Sequence, residues 1–304
     1  MLVSNNTPWE KRIGKQRLWV WRGWPIRYSY LWVSGQKQEC TKTPLILLHG
    51  FGAAIEHWRH NIPILAQEYP IYALDLLGFG GSKKAATDYS MYLWAEQVHD
   101  FWLTFIGQPV VLVGNSIGAL LCVTVAERYP EMVAGMVMIS LPDVSLRQKT
   151  IPSWLRPIVN TIEGLFSPPL LLKGLFNIIR RPQIIRPWIK LAYYDASAIT
   201  DELVHIITIP PQDQGAARTF CLLFEAVKGT DYGPSIQAVL PKLTMPMLLV
   251  WGLQDRFIPP SLGPIFAQLN PNIILVELDH AGHCLHDECP DQFNPILLDW
   301  LKKL

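Results

Sequence analysis

The chain has 304 residues, half of them hydrophobic and 17% charged, with a net charge of +1 and a mean hydropathy of +0.18. This length accommodates one large α/β domain with an insertion, and a near-neutral balance supplies no global field for nucleic acid or other strongly charged partners. The apolar composition points instead to an apolar ligand or a membrane surface.

The chain opens on MLVSNNTPWEKRIGKQ, a polar stretch without the apolar centre of a signal peptide. No uninterrupted apolar run reaches the roughly 18–20 residues that span a bilayer, so a soluble or peripheral protein is expected. Five cysteines, an odd number, predict a reducing compartment without a disulfide framework, with Cys122 and Cys221 as buried thiols in apolar helices. Residues 17–34, RLWVWRGWPIRYSYLWVS, alternate aromatic or apolar with polar residues around Gly-Trp-Pro, which predicts an antiparallel hairpin with its tryptophans in the core.

Short apolar runs then alternate with helix-length segments. The runs are Leu45–Leu48, Ile71–Leu76, Val110–Val113, Met136–Ile139, Met247–Val250 and Ile273–Val276, and they lack period-two alternation, as parallel strands covered on both faces do. Helices are predicted at Met91–Ile106, Ile117–Tyr129 and Gln292–Lys303, completing a doubly wound sheet.

After the first run comes His49-Gly50-Phe51-Gly52, a loop placed to offer a backbone N–H to a developing oxyanion. His49 comes too early in the chain to act as the base and is expected to brace the loop. Asp75, Gly78, Gly80 and Ser82 read as a structured turn. The most specific signal is Gly114-Asn115-Ser116-Ile117-Gly118, a G-x-S-x-G motif between a buried strand and a helix. There a serine hydroxyl stands proud of the sheet at the positive end of a helix. Ser116 is the candidate nucleophile, and the N–H groups of Phe51 and Ile117 are the candidate oxyanion donors.

Beyond the sixth strand the alternation fails for about a hundred residues. A structureless loop of that length is improbable in a compact domain. Residues 141–235 are therefore expected to form a helical lid on a core made of residues 1–140 and 236–304. From Arg147 to Lys190 this segment carries eight basic residues against one acid, Glu163. Basic, apolar helices containing Trp suit the headgroup region of an anionic bilayer, although a solvated basic rim is the plain alternative.

A serine needs a base and an orienting acid, and in this chain order the acid follows the serine and the histidine comes last. Asp255, just past the Met247–Val250 strand, is the first candidate acid and Asp143, after the preceding strand, the alternative. The segment LDHAGHCLHDEC follows the last strand and crowds His280, His283 and His286 with Cys284 and Cys289. His283, beside Gly282, best fits a turn that aims an imidazole, ahead of His286 and then His280. A zinc site lacks a second ligand pair elsewhere, and four residues separate the cysteines where the usual redox motif has two. The other two histidines are expected to shape the loop or the pocket mouth, and the cysteines to pack.

Taken together, the blocks LLHGFGAAIEHWRHNIPILA, YALDLLGFGGS, LVGNSIGALLCV, LLVWGLQDRFIP and AGHCLHDECPDQF resemble the α/β-hydrolase superfamily. Within it they resemble the chlorophyll dephytylase and pheophytinase group of plants and cyanobacteria. The resemblance runs from about residue 20 to the end. It implies hydrolysis of the phytyl ester of chlorophyll-type pigments at the surface of photosynthetic (thylakoid) membranes, with no cofactor or metal; the polar N-terminal stretch and the reducing-compartment reading keep the cytoplasm as the other expected location. Position by position the resemblance implies Ser116 as nucleophile, His283 as base, Asp255 as acid and Phe51 and Ile117 as oxyanion donors. Two departures are Ala119 after the serine motif and MISLPDVS after the sixth strand. Rival readings are a C–C bond hydrolase of dienoic acids, which the apolar lid disfavours, and a non-catalytic pigment or lipid binder, which an intact set of three disfavours. A haloalkane dehalogenase would need an aspartate where Ser116 stands.

Overall fold

The computed structural model describes residues 8–32, 42–143, 169–229 and 231–304. Eight strands form one sheet in the order β1-β2-β4-β3-β5-β6-β7-β8. They are β1 (Lys15–Trp21), β2 (Trp24–Leu31), β3 (Leu45–Leu48), β4 (Ile71–Leu74), β5 (Val110–Asn115), β6 (Val133–Ile139), β7 (Met247–Gly252) and β8 (Ile273–Leu278). β1 and β2 pair antiparallel, β2 meets β4 antiparallel, and every later pairing is parallel.

The hairpin turn differs from expectation. It is made by Arg22 and Gly23 at φ 50° and 84°, and Trp24 and Pro25 belong to β2. Two residues of positive φ match the right-handed twist of the strands, and glycine supplies one at no steric cost. Trp21 is buried, and Trp19 and Trp24 pack partly buried against the same core.

Successive residues of the central strands face opposite sides of the sheet. Ile46, Leu48, Val110 and Leu112 enter one apolar cluster, while Leu45, Leu47, Val111 and Val113 enter the other. Helices α1 (Met91–Phe105) and α2 (Ile117–Arg128) cover the first face. Among the described residues, the longer helices between β6 and β7 are α3 (Pro169–Ile179), α4 (Pro182–Ala192), α5 (Asp201–Thr208) and α6 (Ala216–Lys228). Phe176 of α3 meets Phe220 of α6 at 5.0 Å between ring centroids. The basic residues Arg147, Lys149 and Arg156 of the expected lid lie outside the described residues. After β7 come α7 (Leu262–Ala267), a one-turn α8 (Leu285–Glu288) and α9 (Pro290–Leu301), which covers the second face with Phe293, Leu297 and Trp300.

Candidate active site

Ser116 follows the end of β5 and caps α2, and its φ of 55° and ψ of −118° are rare for a residue with a side chain. Such a conformation costs on the order of 1–3 kcal/mol and persists only when its surroundings enforce it. Here the Ser116 N–H donates to Ile139 O at 2.9 Å, and its carbonyl accepts from the N–H groups of Ala119 and Leu120 at 2.9 and 3.1 Å. The flanking glycines are needed for close approach: a Cβ on Gly118 would lie 2.2 Å from Leu48 O, and one on Gly114 would lie 2.2 Å from the carbonyl of Gly118. Strand and helix thus meet with no room for a side chain. Ile117 is the first residue of α2, so its N–H has no carbonyl one helical turn earlier to bond.

The loop after β3 presses on the same point, since a Cβ on Gly50 would lie 3.5 Å from Ser116 Cβ. His49 fixes this loop. Its Nδ1 donates to Gly50 O at 2.7 Å, and its Nε2 accepts from the Leu76 N–H at 3.1 Å. Burial holds its pKa below the usual histidine value, which keeps it the neutral ring that this pairing requires. Phe51, next along, is 49% exposed. Asp75 is framework: it accepts from the Ile55 and Gly81 N–H groups at 2.9 and 2.6 Å and from Arg27 Nε at 2.5 Å.

His283 stands in the turn after β8, and its Nδ1 lies 2.8 Å from Asp255 Oδ2. Asp255 Oδ1 accepts from the N–H groups of Phe257 and Ile258 at 2.8 and 2.9 Å. Burial raises the Asp255 pKa, but the hydrogen bond and charge of His283, with the Ile258 N–H, outweigh it and bring the net value below the usual carboxylate range. An ionised Asp255 fixes the proton on Nδ1 and leaves Nε2 as the lone-pair nitrogen. Asp143 is buried just past β6, and it is Asp255 that bonds His283.

The other two histidines diverge. His280, at φ 57°, is exposed beside the Tyr194 ring, with Nδ1 3.3 Å from Asp279. His286 lies not at a pocket mouth but inside the protein, with ring centroids 4.3 Å from Trp58 and 4.7 Å from His57. Neither of its ring nitrogens has a partner, and burial drives its pKa well below the usual value. Cys289 packs with its Sγ donating to Leu285 O at 3.1 Å, whereas Cys284 also lines the cavity described next.

Ser116, His283 and Asn115 open onto one cavity of about 560 Å³. Its walls are largely apolar, with Phe176, Ile179, Ile185, Ile189 and Phe220 contributed by the inserted helices. Phe51, Trp188 and Phe257 line it while also being exposed, and so mark its mouth. Among the described residues no three His, Cys, Asp or Glu side chains are grouped to hold a metal ion, and no helix is long and apolar enough to cross a membrane.

Two features were not foreseen from sequence. Asn115, beside the serine and buried, donates from Nδ2 to the His283 carbonyl at 3.0 Å. A polar residue at the end of a wholly apolar strand was its only signal. The second is a buried network around Asp287, which accepts from Arg59 Nη1 and the Tyr193 hydroxyl, both at 2.6 Å. Tyr193 in turn accepts from His57 Nε2 at 2.8 Å, because its own proton goes to the carboxylate. The HWR and GHCLHD blocks of the sequence are therefore partners in space.

The alpha/beta hydrolase family matches residues 45–296 of the chain. A 2-hydroxy-6-oxo-6-(2'-aminophenyl)hexa-2,4-dienoic acid hydrolase of Metapseudomonas resinovorans is 28% identical over 271 residues, 86% of this chain and 84% of that protein. The 1-acylglycerol-3-phosphate O-acyltransferase ABHD5 of Rattus norvegicus is 25% identical over 297 residues, 89% of this chain and 78% of that one. The chloroplastic pheophytinase of Arabidopsis thaliana is 24% identical over 314 residues, covering 86% of this chain and 61% of its own length. With a match over most of its length and an eight-stranded, mostly parallel sheet, the chain belongs to the alpha/beta hydrolase family.

Proposed function

We propose that the protein is a serine ester hydrolase for large apolar esters, with the described helices α3 to α6 serving as its lid. The observation that carries this is the 2.8 Å contact of His283 Nδ1 with the ionised Asp255, at the wall of the apolar cavity that also holds Ser116. His283 Nε2 takes the proton from Ser116 Oγ as the hydroxyl attacks the ester carbonyl. The N–H groups of Phe51 and Ile117 hold the oxyanion, a role worth roughly 3–4 kcal/mol per donor in such sites. The alcohol leaves with the proton from His283. Water, deprotonated by the same ring, then releases the acid and restores the serine.

The cavity walls support this substrate class. A cavity of about 560 Å³ lined by Phe and Ile suits a long or branched hydrocarbon and gives a polar chain few partners. The motif resemblance and the 24% identity to a pheophytinase support the phytyl ester of a chlorophyll-type tetrapyrrole as that substrate. Incubation with chlorophyll a and pheophytin a should yield the dephytylated acid. No turnover of either by an enzyme active on simple esters would reject the pigment while leaving the hydrolase.

The cavity mouth also supports work at an anionic membrane. Residues 169–194 contain no acid, and α3, α4 and the turn between them expose Lys173, Arg181, Lys190 and Arg186, the last paired with Asp201, among exposed Leu171, Leu175, Ile178, Trp188 and Leu191. A second reading, C–C hydrolysis of a dienoic acid, is favoured by one residue. Arg180 lines the cavity, its guanidinium bonded to Pro211 O at 3.4 Å, where it could meet a substrate carboxylate. A dienoate in the same assay series separates the two readings.

A further inference from the structure

The turn that carries His283 is held from two sides. From the sheet, Asn115 donates to the His283 carbonyl at 3.0 Å. From the inserted helices, the carbonyl of Ala192 at the end of α4 accepts the N–H groups of His283 at 2.8 Å and Cys284 at 3.3 Å. The backbones touch here. A Cβ on Gly282 would lie 2.6 Å from Ala192 O and 2.9 Å from Tyr194 N, so glycine is required for the contact to exist.

One side chain spans this junction. Glu288, the last residue of α8, accepts the Gly282 N–H on Oε2 at 2.7 Å and the Asp195 N–H on Oε1 at 2.6 Å. A carboxylate has two accepting oxygens and so receives N–H groups from both segments at once, one on each oxygen. Gln in its place has one accepting oxygen and would turn an NH2 group towards the N–H left over.

We propose that Glu288 is a positioning residue for His283. By clamping the end of α4 to the Gly282 turn it holds the His283 N–H on Ala192 O, and so makes the aim of the imidazole depend on the seating of the inserted helices. This rests on the reading of Ser116, His283 and Asp255 as the reacting set. Glu288 itself touches no substrate. Its effect comes through geometry, where a misplacement of about 1 Å costs on the order of 100-fold in rate.

The test compares Glu288→Gln and Glu288→Ala with the unaltered chain, using a long-chain p-nitrophenyl ester. Rates are taken per active site, counted by fluorophosphonate titration, so that a partly folded preparation does not mislead. The clamp predicts a kcat lower by roughly 10- to 100-fold in both variants, with KM little changed. It also predicts that the low-field proton resonance of the His283–Asp255 hydrogen bond broadens or is lost. A purely structural Glu288 would lower the urea midpoint and leave kcat and that resonance as they are, which overturns the proposal. The Ser116→Ala variant keeps the two ideas apart: if it retains full turnover, the reading of the reacting set fails and the clamp falls with it. If Ser116→Ala is inactive and Glu288→Gln is fully active, only the clamp fails.

Discussion

Arg59 Nη1 donates to Asp287 Oδ1 at 2.6 Å across 228 residues of chain, with both side chains 1% exposed. A charge so deeply buried is tolerated only while its partner is present. Asp287→Asn leaves the Arg59 guanidinium with the Glu202 carboxylate, through Nε at 2.7 Å, and the Glu56 carbonyl at 3.3 Å, and weakens the Tyr193 contact. The expected loss is about 3–5 kcal/mol, read as a fall in the urea midpoint. In a double-mutant cycle with Arg59→Met, the paired change should cost clearly less than the sum of the single ones. Simple additivity would show that the contact contributes nothing.

Stability should fall on mild acidification because of His57. Burial is the main cause that lowers its pKa to about 4 from the ordinary 6.5, against the opposing charge of Asp287. Between those values the unfolded chain binds the proton and the folded chain does not, so stability is present above pH 6.5 and lost as pH falls towards 4. The drop corresponds to about 3 kcal/mol, and His286, also pushed below the usual value by burial, adds in the same direction. Asp255 and Asp287, whose pKa values end up lowered, add a second loss only below the usual carboxylate range. Urea midpoints at pH 7.5, 6 and 4.5 check this. His57→Gln should flatten the upper part of the slope, and an unchanged slope would remove His57 as its cause.

The two candidate acids separate cleanly by substitution. Asp255→Asn replaces the acceptor of the His283 proton with an amide and favours the wrong tautomer, an effect worth on the order of 10⁴-fold in kcat. Asp143→Asn should leave kcat near that of the unaltered enzyme. Equal losses in both variants would mean that Asp255 is not the orienting acid.

Lipid binding should depend on charge and salt. Exposed cations near an anionic surface are worth about 1 kcal/mol each, so vesicles containing phosphatidylserine should float the protein at low salt and release it at high salt. Replacing Lys173, Arg181 and Lys190 together by Glu should abolish flotation and spare turnover of a dispersed short-chain ester. Flotation by this variant equal to that of the unaltered chain would exclude the basic face as the cause.

The parts of this architecture that are local were readable in the sequence. Strands buried on both faces announce themselves as apolar runs such as Leu45–Leu48, and Gly114 and Gly118 mark a strand–helix approach closer than any Cβ allows. Contacts between distant segments left no such mark. The Arg59–Asp287 pair, the Asn115 bond to the His283 turn and the Ala192 contact join positions whose residue types are unremarkable in isolation. The hairpin turn differs from the Gly-Trp-Pro expectation for a local reason: proline favours turns, but Arg22 adopts the positive φ that leaves Trp24 and Pro25 in β2. His286 looked like a site histidine because of its neighbours in sequence, and only packing against Trp58 reveals it as interior.

The central claim is that Ser116, strained at φ 55° beside the cavity, is an activated nucleophile. Fluorophosphonate labelling followed by intact mass and peptide mapping tests it most directly. The account predicts one adduct per chain, located on Ser116, formed rapidly by the unaltered enzyme and absent from Ser116→Ala, whose turnover falls by roughly 10⁴-fold or more. A folded, unaltered chain that takes up no label, or a Ser116→Ala chain that labels as before, would contradict it.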